Sequence, residues 1–328
     1  MKFVELKKHL ITNNFYHCYN LFGDDSFLID SSKNLLFKYA SNQNEFDRIM
    51  LSAENFNQQN VLSILNTPSF FGGNKIVVLT GVEKTKNKDV LKLVEDYSKF
   101  PNSQSIFILI SNESLFDENK FNSKNFFCNV DCNRLDRNTI SSWINATLKE
   151  KNATITDEAK LLLIDYTNEY LSRISLELEK LISYSNGNIT KDDVELLVEK
   201  SLEFSVFELT ENIGIGNRKK TFEILSHMME DKKSAPTVLS LIQNYFRRML
   251  FSAITPKTNL QIANELGVKE YAVKKAKETS KLFSKIALKD IVELCGELDF
   301  KVKSGQTNYK NAVYYLIMYI LESNRKSI

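Results

Sequence analysis

The sequence predicts an α/β domain followed by an all-α remainder, and three observations carry this. From the N-terminus to about residue 133, strand and helix signals alternate, as in a parallel sheet covered by helices. Strand signals then stop, and helical patterns follow one another to the end. Only 10 Gly and 4 Pro occur in 328 residues, which suits a helix-dominated chain of two or three domains.

Residues 15–22 form a short apolar run ending at Gly23, the pattern of a buried strand. Asp24 or Asp25 can cap a helix over 26–39. A second strand is expected at 46–51 and a helix at 57–65, where Val61, Leu62 and Leu65 fall at helical spacing. After Pro68-Ser69-Phe70-Phe71-Gly72-Gly73 comes a strand at 75–79. Val90, Leu91, Val94 and Tyr97 place one apolar side on a helix at 89–100. The β-branched run 106–110 predicts a central strand buried on both faces, and 126–130 a last one.

Beyond residue 134, helices are expected at 137–151, 157–168, 171–185 and 191–200. The cap pattern Thr156-Asp157-Glu158-Ala159 and the turn Asn186-Gly187-Asn188 mark ends. A third group starts near Phe204, with helices at 218–230, 236–254, 260–266, 269–282, 288–303 and 311–321. Pro236 sits in a first turn, where its missing N–H costs nothing. The expected boundaries are therefore 1–133, 134–203 and 204–328.

With 43% hydrophobic and 26% charged residues the chain reads as soluble and globular. A net charge of +2 gives no overall drive toward nucleic acid, so any basic surface must be local. Residues 1–10 carry several charges and no apolar run, unlike a signal peptide. The apolar stretch 312–321 is too short to span a membrane and reads as a buried helix. Cys18, Cys128, Cys132 and Cys295 are expected to be buried thiols of a reducing, cytoplasmic compartment. Cys128 and Cys132 would share a strand face, but only His9, His17 and His227 could complete a metal site, so no metal is expected.

A phosphate-binding loop needs G-x-x-x-x-G-K-[ST] after the first strand. Here that strand is followed by Gly23-Asp24-Asp25-Ser26-Phe27-Leu28-Ile29-Asp30. The second Gly, the Lys and the hydroxyl are absent, and two acidic residues would repel phosphate. Asn112 follows the 106–110 strand, where a phosphate sensor can sit, but it stands alone. No G-x-S-x-G, C-x-x-C or H-E-x-x-H occurs, so no catalytic residue and no cofactor are expected. Arg218-Lys219-Lys220, Arg247-Arg248 and the lysines at 269, 274, 275, 277 and 281 read first as solvated helix faces. The spacing of Trp143 with Ile140 and Leu148 predicts a core tryptophan.

Phe70 and Phe71 are the feature these classes leave over. Adjacent side chains diverge on a strand or helix, whereas in a Gly-rich turn both can point outward. Packing into the sheet domain and burial on a partner remain open at this point. On a partner, the pair would contribute about 3–6 kcal/mol before association costs, enough for a hot spot.

Several stretches together resemble one family, the delta subunit of the bacterial DNA polymerase III clamp loader. They are Tyr19-Asn20-Leu21-Phe22-Gly23-Asp24-Asp25-Ser26-Phe27-Leu28-Ile29, Ser69-Phe70-Phe71-Gly72 leading into Lys75-Ile76-Val77-Val78-Leu79, and Glu177-Leu178-Glu179-Lys180-Leu181. Further on come Pro236 with Tyr245-Phe246-Arg247-Arg248, Leu266-Gly267-Val268 before Tyr271, and Lys303-Ser304-Gly305. The order and spacing of these weak motifs are what is specific.

The resemblance implies an AAA+-like parallel-sheet domain without a Walker A motif, a small helical lid domain and a C-terminal helical collar that assembles with other subunits. It implies a non-ATPase subunit of the polymerase holoenzyme that binds the beta sliding clamp and opens the ring for loading on primed DNA. Ser69, Phe70 and Phe71, with Pro68, are the implied clamp-binding residues. The partners implied are the clamp, gamma/tau and delta prime subunits and primed DNA, with no membrane and a nucleoid-associated cytoplasmic location. Lys274, Lys275, Lys303 and Ser304 are candidate DNA-proximal residues. Two departures are visible: Gly73-Asn74 stands where a basic residue is common, and the tip is Phe-Phe where some members have Leu-Phe. The competing expectations are an AAA+ ATPase with a drifted nucleotide motif and a free-standing DNA-binding protein using the 269–281 helix.

Overall fold

The computed structural model describes residues 1–12, 15–40, 46–69, 75–84, 87–114, 117, 126–230 and 234–325. They divide into two compact units, Met1–Thr147 and Leu148–Ile328.

The first unit is built on five parallel strands: β1 (Cys18–Phe22), β2 (Asp47–Ser52), β3 (Lys75–Thr80), β4 (Ser105–Ser111) and β5 (Phe127–Asp131), in the order β2-β3-β4-β1-β5. In the register, Cys18 lies opposite both Phe107 and Phe127, and Ile76 lies between Arg48 and Ile106. The middle strands are buried on both faces, as their unbroken Val/Ile/Leu/Phe runs require. Edge strand β2 alternates half-buried and exposed residues.

One face packs Val77, Leu79, Phe107 and Leu109 against Val61 and Leu65 of α3 (Gln58–Asn66). Val90, Leu93, Val94 and Tyr97 of α4 (Asn87–Lys99) complete that layer. The other face is covered by α1 (Phe3–Ile11) and α2 (Ser26–Ala40), which pack on each other, α2 on β1 and α1 on β5. The sequence reading assigned no helix to α1, although its buried Phe3, Leu6 and Leu10 recur at helical spacing. Trp143, on α5 (Arg137–Glu150), is half-buried and not enclosed as expected. It meets the ring of Phe27 edge-on at 6.5 Å.

The second unit opens with α6 (Asp157–Tyr166), α7 (Leu171–Tyr184) and α8 (Lys191–Leu197). Strands do recur here, against expectation: β6 (Thr154–Ile155) and β7 (Asn188–Ile189) pair in parallel. Two residues are too few to leave a period in the sequence. The reading also left α9 (Leu202–Gly214) unassigned. It joins α10 (Arg218–Met228), α11 (Ala235–Ile254), α14 (Lys285–Lys303) and α15 (Tyr309–Arg325) around one core that includes Leu209, Phe246, Leu288 and Leu316. α12 (Asn259–Leu266) and α13 (Glu270–Ser280) share a satellite cluster of Ile262, Ala263 and Val273. Among the described residues, no helix is long and apolar enough to cross a membrane.

All four cysteines are free and buried. Cys132 lies one residue beyond β5, with its Sγ 3.5 Å from Ser32 Oγ. Burial pushes its thiol up to about 11 and that of Cys295 up to about 12. The folded thiols therefore keep their protons where the unfolded chain loses them, so stability falls as pH rises from about 8.5 toward 11. Alkylation should leave all four thiols unmodified in the folded protein at pH 8 and label all four in denaturant, as read by intact mass.

Candidate functional site: the two ends of the sheet

A nucleotide would be expected at the end of the sheet where β1 runs into α2. Gly23 makes that turn with φ +141°, and a Cβ there would lie 2.4 Å from Asn133 N and from Cys132 C. Its N–H donates to Ser111 O at 3.2 Å, and the Asp25 N–H donates to Cys132 O at 3.3 Å. The Asp25 carboxylate accepts from the N–H groups of Phe27 (3.0 Å) and Leu28 (3.2 Å). Asp24 accepts from Arg134 N at 3.2 Å and pairs with its guanidinium at 3.5 Å. The helix terminus that a phosphate would occupy already holds an anion from the chain itself. Asn112 is exposed at the end of β4.

Behind this turn lies a buried polar chain. Ser111 Oγ donates to Asn20 Oδ1 at 2.9 Å, and Asn20 Nδ2 donates to Asn129 Oδ1 at 3.0 Å. It ties β4, β1 and β5 together. Among the described residues, no cluster of three His, Cys, Asp or Glu side chains could hold a metal ion.

The opposite end of the sheet carries the segment between α3 and β3. Pro68 is exposed and Ser69 half-buried; Phe70 and Phe71 lie outside the described residues. Ser69 Oγ is buried and has no hydrogen-bond partner among the described residues. Both flanks of the segment are fixed by Lys75, which is only 2% exposed. Its Nζ donates to Ile64 O at 2.7 Å, to Thr67 Oγ1 at 3.1 Å and to Thr67 O. Ser105 Oγ and Asn102 Nδ2 both donate to Leu65 O, at 2.8 and 3.2 Å. The carbonyls that α3 leaves open at its C-terminus are thus satisfied by side chains from β3, β4 and the loop before β4. Burial holds the Lys75 ammonium below its ordinary range, and Asp47 opposes this.

The candidate DNA-proximal residues are spread over the second unit. Lys274 is exposed on α13. Lys275 is half-buried, with its ammonium 4.9 Å from the Phe207 ring and 5.8 Å from that of Tyr271. At the leading end of α13, Lys269 pairs with Glu169 at 2.5 Å and Tyr271 donates to Asp165 at 3.2 Å. The chain's own carboxylates therefore hold that end of the helix. Lys303 is exposed and pairs with Asp299 at 2.7 Å. Ser304 follows it in a turn closed by Gly305 at φ +77°.

Family comparison bears on both units. A family described as "DNA polymerase III, delta subunit" matches residues 19–131, and "DNA polymerase III delta subunit, C-terminal domain" matches 203–320. The chain belongs to the DNA polymerase III delta subunit family. A delta subunit from Bacillus subtilis (strain 168) is 25% identical over 338 residues, covering 98% of this chain and 97% of that one. A probable delta subunit from Aquifex aeolicus is 24% identical over 244 residues, covering 69% and 67%. The solved Bacillus subtilis DNA clamp loader delta protein superposes with a TM-score of 0.74 at 23% identity, covering 98% of this chain and 99% of that one, a likeness of fold. The parallel sheet without a Walker A motif, followed by helices, that the resemblance implies is the architecture observed in this delta-family chain.

Sequence reasoning missed Lys75 as a structural residue and read it only as the start of a strand. The available signal was a lysine opening a strand otherwise made of Ile, Val and Leu. Lys75→Met should destabilise the folded chain by about 1–3 kcal/mol, because three part-buried acceptors lose their donor at once. Urea unfolding measures this. Asp25→Ala, which strips the cap of α2, should cost about 1 kcal/mol in the same assay.

Proposed function

We propose that this delta-family chain binds the beta sliding clamp through Ser69, Phe70 and Phe71, with Pro68, and opens the ring for loading on primed DNA. The observation that supports this most is the braced α3–β3 junction. A segment bearing two adjacent phenylalanines leaves and re-enters the sheet end under the control of one buried lysine. A rigid base lowers the ordering cost of binding, so more of the burial energy of the two rings reaches the complex.

The mechanism is mechanical. The phenylalanines enter an apolar pocket on one clamp protomer, and a neighbouring part of the domain disfavours the closed ring interface. Partner subunits of the gamma/tau and delta prime types bind ATP and shift the population in which the tip is accessible. In this reading residues 134–203 act as a lid domain and 204–328 as the assembling collar. The turn at Gly23 supports a non-ATPase role, because Asp25 fills the phosphate position.

The test is binding of the full chain to the cognate clamp by surface plasmon resonance. Phe70→Ala with Phe71→Ala should weaken binding at least about a hundredfold, the loss of two buried aromatic anchors, with unchanged circular dichroism. Unchanged affinity in the double variant would remove the assignment.

A further inference from the structure

The helical bundle contains a cavity that the clamp reading does not use. Its volume is about 280 Å³, and it is lined by Asn244, Arg247 and Arg248 of α11 with Glu265, Leu266 and Val268. The sequence accounts for its shape. α11 buries Ile242, Tyr245, Phe246 and Met249, so residues 244, 247 and 248 fall away from that core stripe. α12 ends at Gly267 with φ +63°, and the Val268 N–H donates back to Ala263 O at 2.9 Å. This tight left-handed cap carries Leu266 and Val268 into the cavity wall.

The charges of the lining do not cancel. Glu265 is already paired with Lys257. Arg247 is exposed, Arg248 is half-buried, and neither has a carboxylate partner among the described residues. The Arg248 guanidinium lies 6.0 Å from the Tyr245 ring centroid, a contact that leaves its N–H donors unused. Burial lowers its pKa without neutralising it. A half-buried guanidinium carries a desolvation cost that an anion in the cavity would offset.

The donor set selects among anions. Two planar guanidinium forks and one carboxamide offer more N–H groups than the two oxygens of a carboxylate can accept. A phosphate accepts in several directions at once. The half-buried Leu266 and Val268 walls give the cleft one apolar side. α13, packed against α11, adds exposed Lys274 and Lys277 to the positive potential of the same bundle. The geometry points to a phosphate-binding pocket formed by Asn244, Arg247 and Arg248, taking either a phosphodiester of a nucleic-acid strand or free phosphate. It stands independently of the clamp-binding segment.

The test titrates the full chain at low salt with a fluorescein-labelled single-stranded oligonucleotide, read by anisotropy. In parallel, sodium phosphate is titrated against sodium chloride of equal ionic strength, read by thermal shift. Arg247→Ala, at an exposed position, and Arg248→Lys, which keeps the charge but loses the fork, should each weaken the bound probe about tenfold or more, with the ligand-free melting temperature unchanged for Arg247→Ala. Loss of oligonucleotide binding assigns the pocket to a nucleic-acid backbone. Loss of the phosphate shift, with no oligonucleotide binding by the wild type, assigns it to free phosphate. The proposal is overturned if the wild type binds neither probe, or if Arg247→Ala binds both as the wild type does.

Discussion

Strands β3, β4 and β1 are buried on both faces, and a sheet of this kind cannot exist without a helical layer on each side. That demand determines the rest of the first unit. α3 and α4 supply one layer and α1 with α2 the other. Because all five strands are parallel, every strand enters at one end of the sheet and leaves at the other. The turn at Gly23 and the strand start at Lys75 therefore stand at opposite ends. The end of the sheet where open parallel sheets generally take a ligand is thus separate from the end that carries Pro68 and Ser69.

How much of this could be read in advance depended on how long each signal was. The run 106–110 gave its strand, and the doubled acid after Gly23 gave both a helix cap and the loss of a phosphate loop. These signals are local and strong. β6 and β7 are two residues each, and they form because α6, α7 and α8 bring Thr154–Ile155 and Asn188–Ile189 together. No local pattern encodes such a pair. Lys75 was invisible for a different reason. A lysine at a strand start normally reaches solvent, and only the position of the α3 C-terminus directs it inward. Phe70 and Phe71 were legible as an unusual pair, and the resemblance supplied the role proposed for them.

The basic clusters show how packing sorts charges that sequence treats alike. Lys269 and Lys275 read first as solvated helix faces, and Lys303 as a candidate beside DNA. In the fold, Lys269 is taken by Glu169, Lys275 lies over two aromatic rings, and Lys303 pairs one helical turn back with Asp299. Arg247 and Arg248 are consecutive on α11, yet one is exposed and the other is drawn over Tyr245. Pairing removes a cation from the set available to an outside anion, so Lys269 and Lys303 count for less there than Arg247 and Arg248.

One electrostatic rule links the two ends of the sheet. A helix leaves N–H groups open at its start and carbonyls open at its end, with partial charges of opposite sign. At α2 the open N–H groups are met by the Asp25 carboxylate; at α3 the open carbonyls are met by the Lys75 ammonium. Each side chain has the sign that the local dipole favours, and each closes its terminus from within the chain. At α2 the effect is to engage the Phe27 and Leu28 N–H groups that an incoming phosphate would need. At α3 the effect is the reverse, because fixing the helix end anchors residues 68 and 69 beside a defined base. The same device, a charged side chain of the chain itself, closes a helix terminus at each end of the sheet.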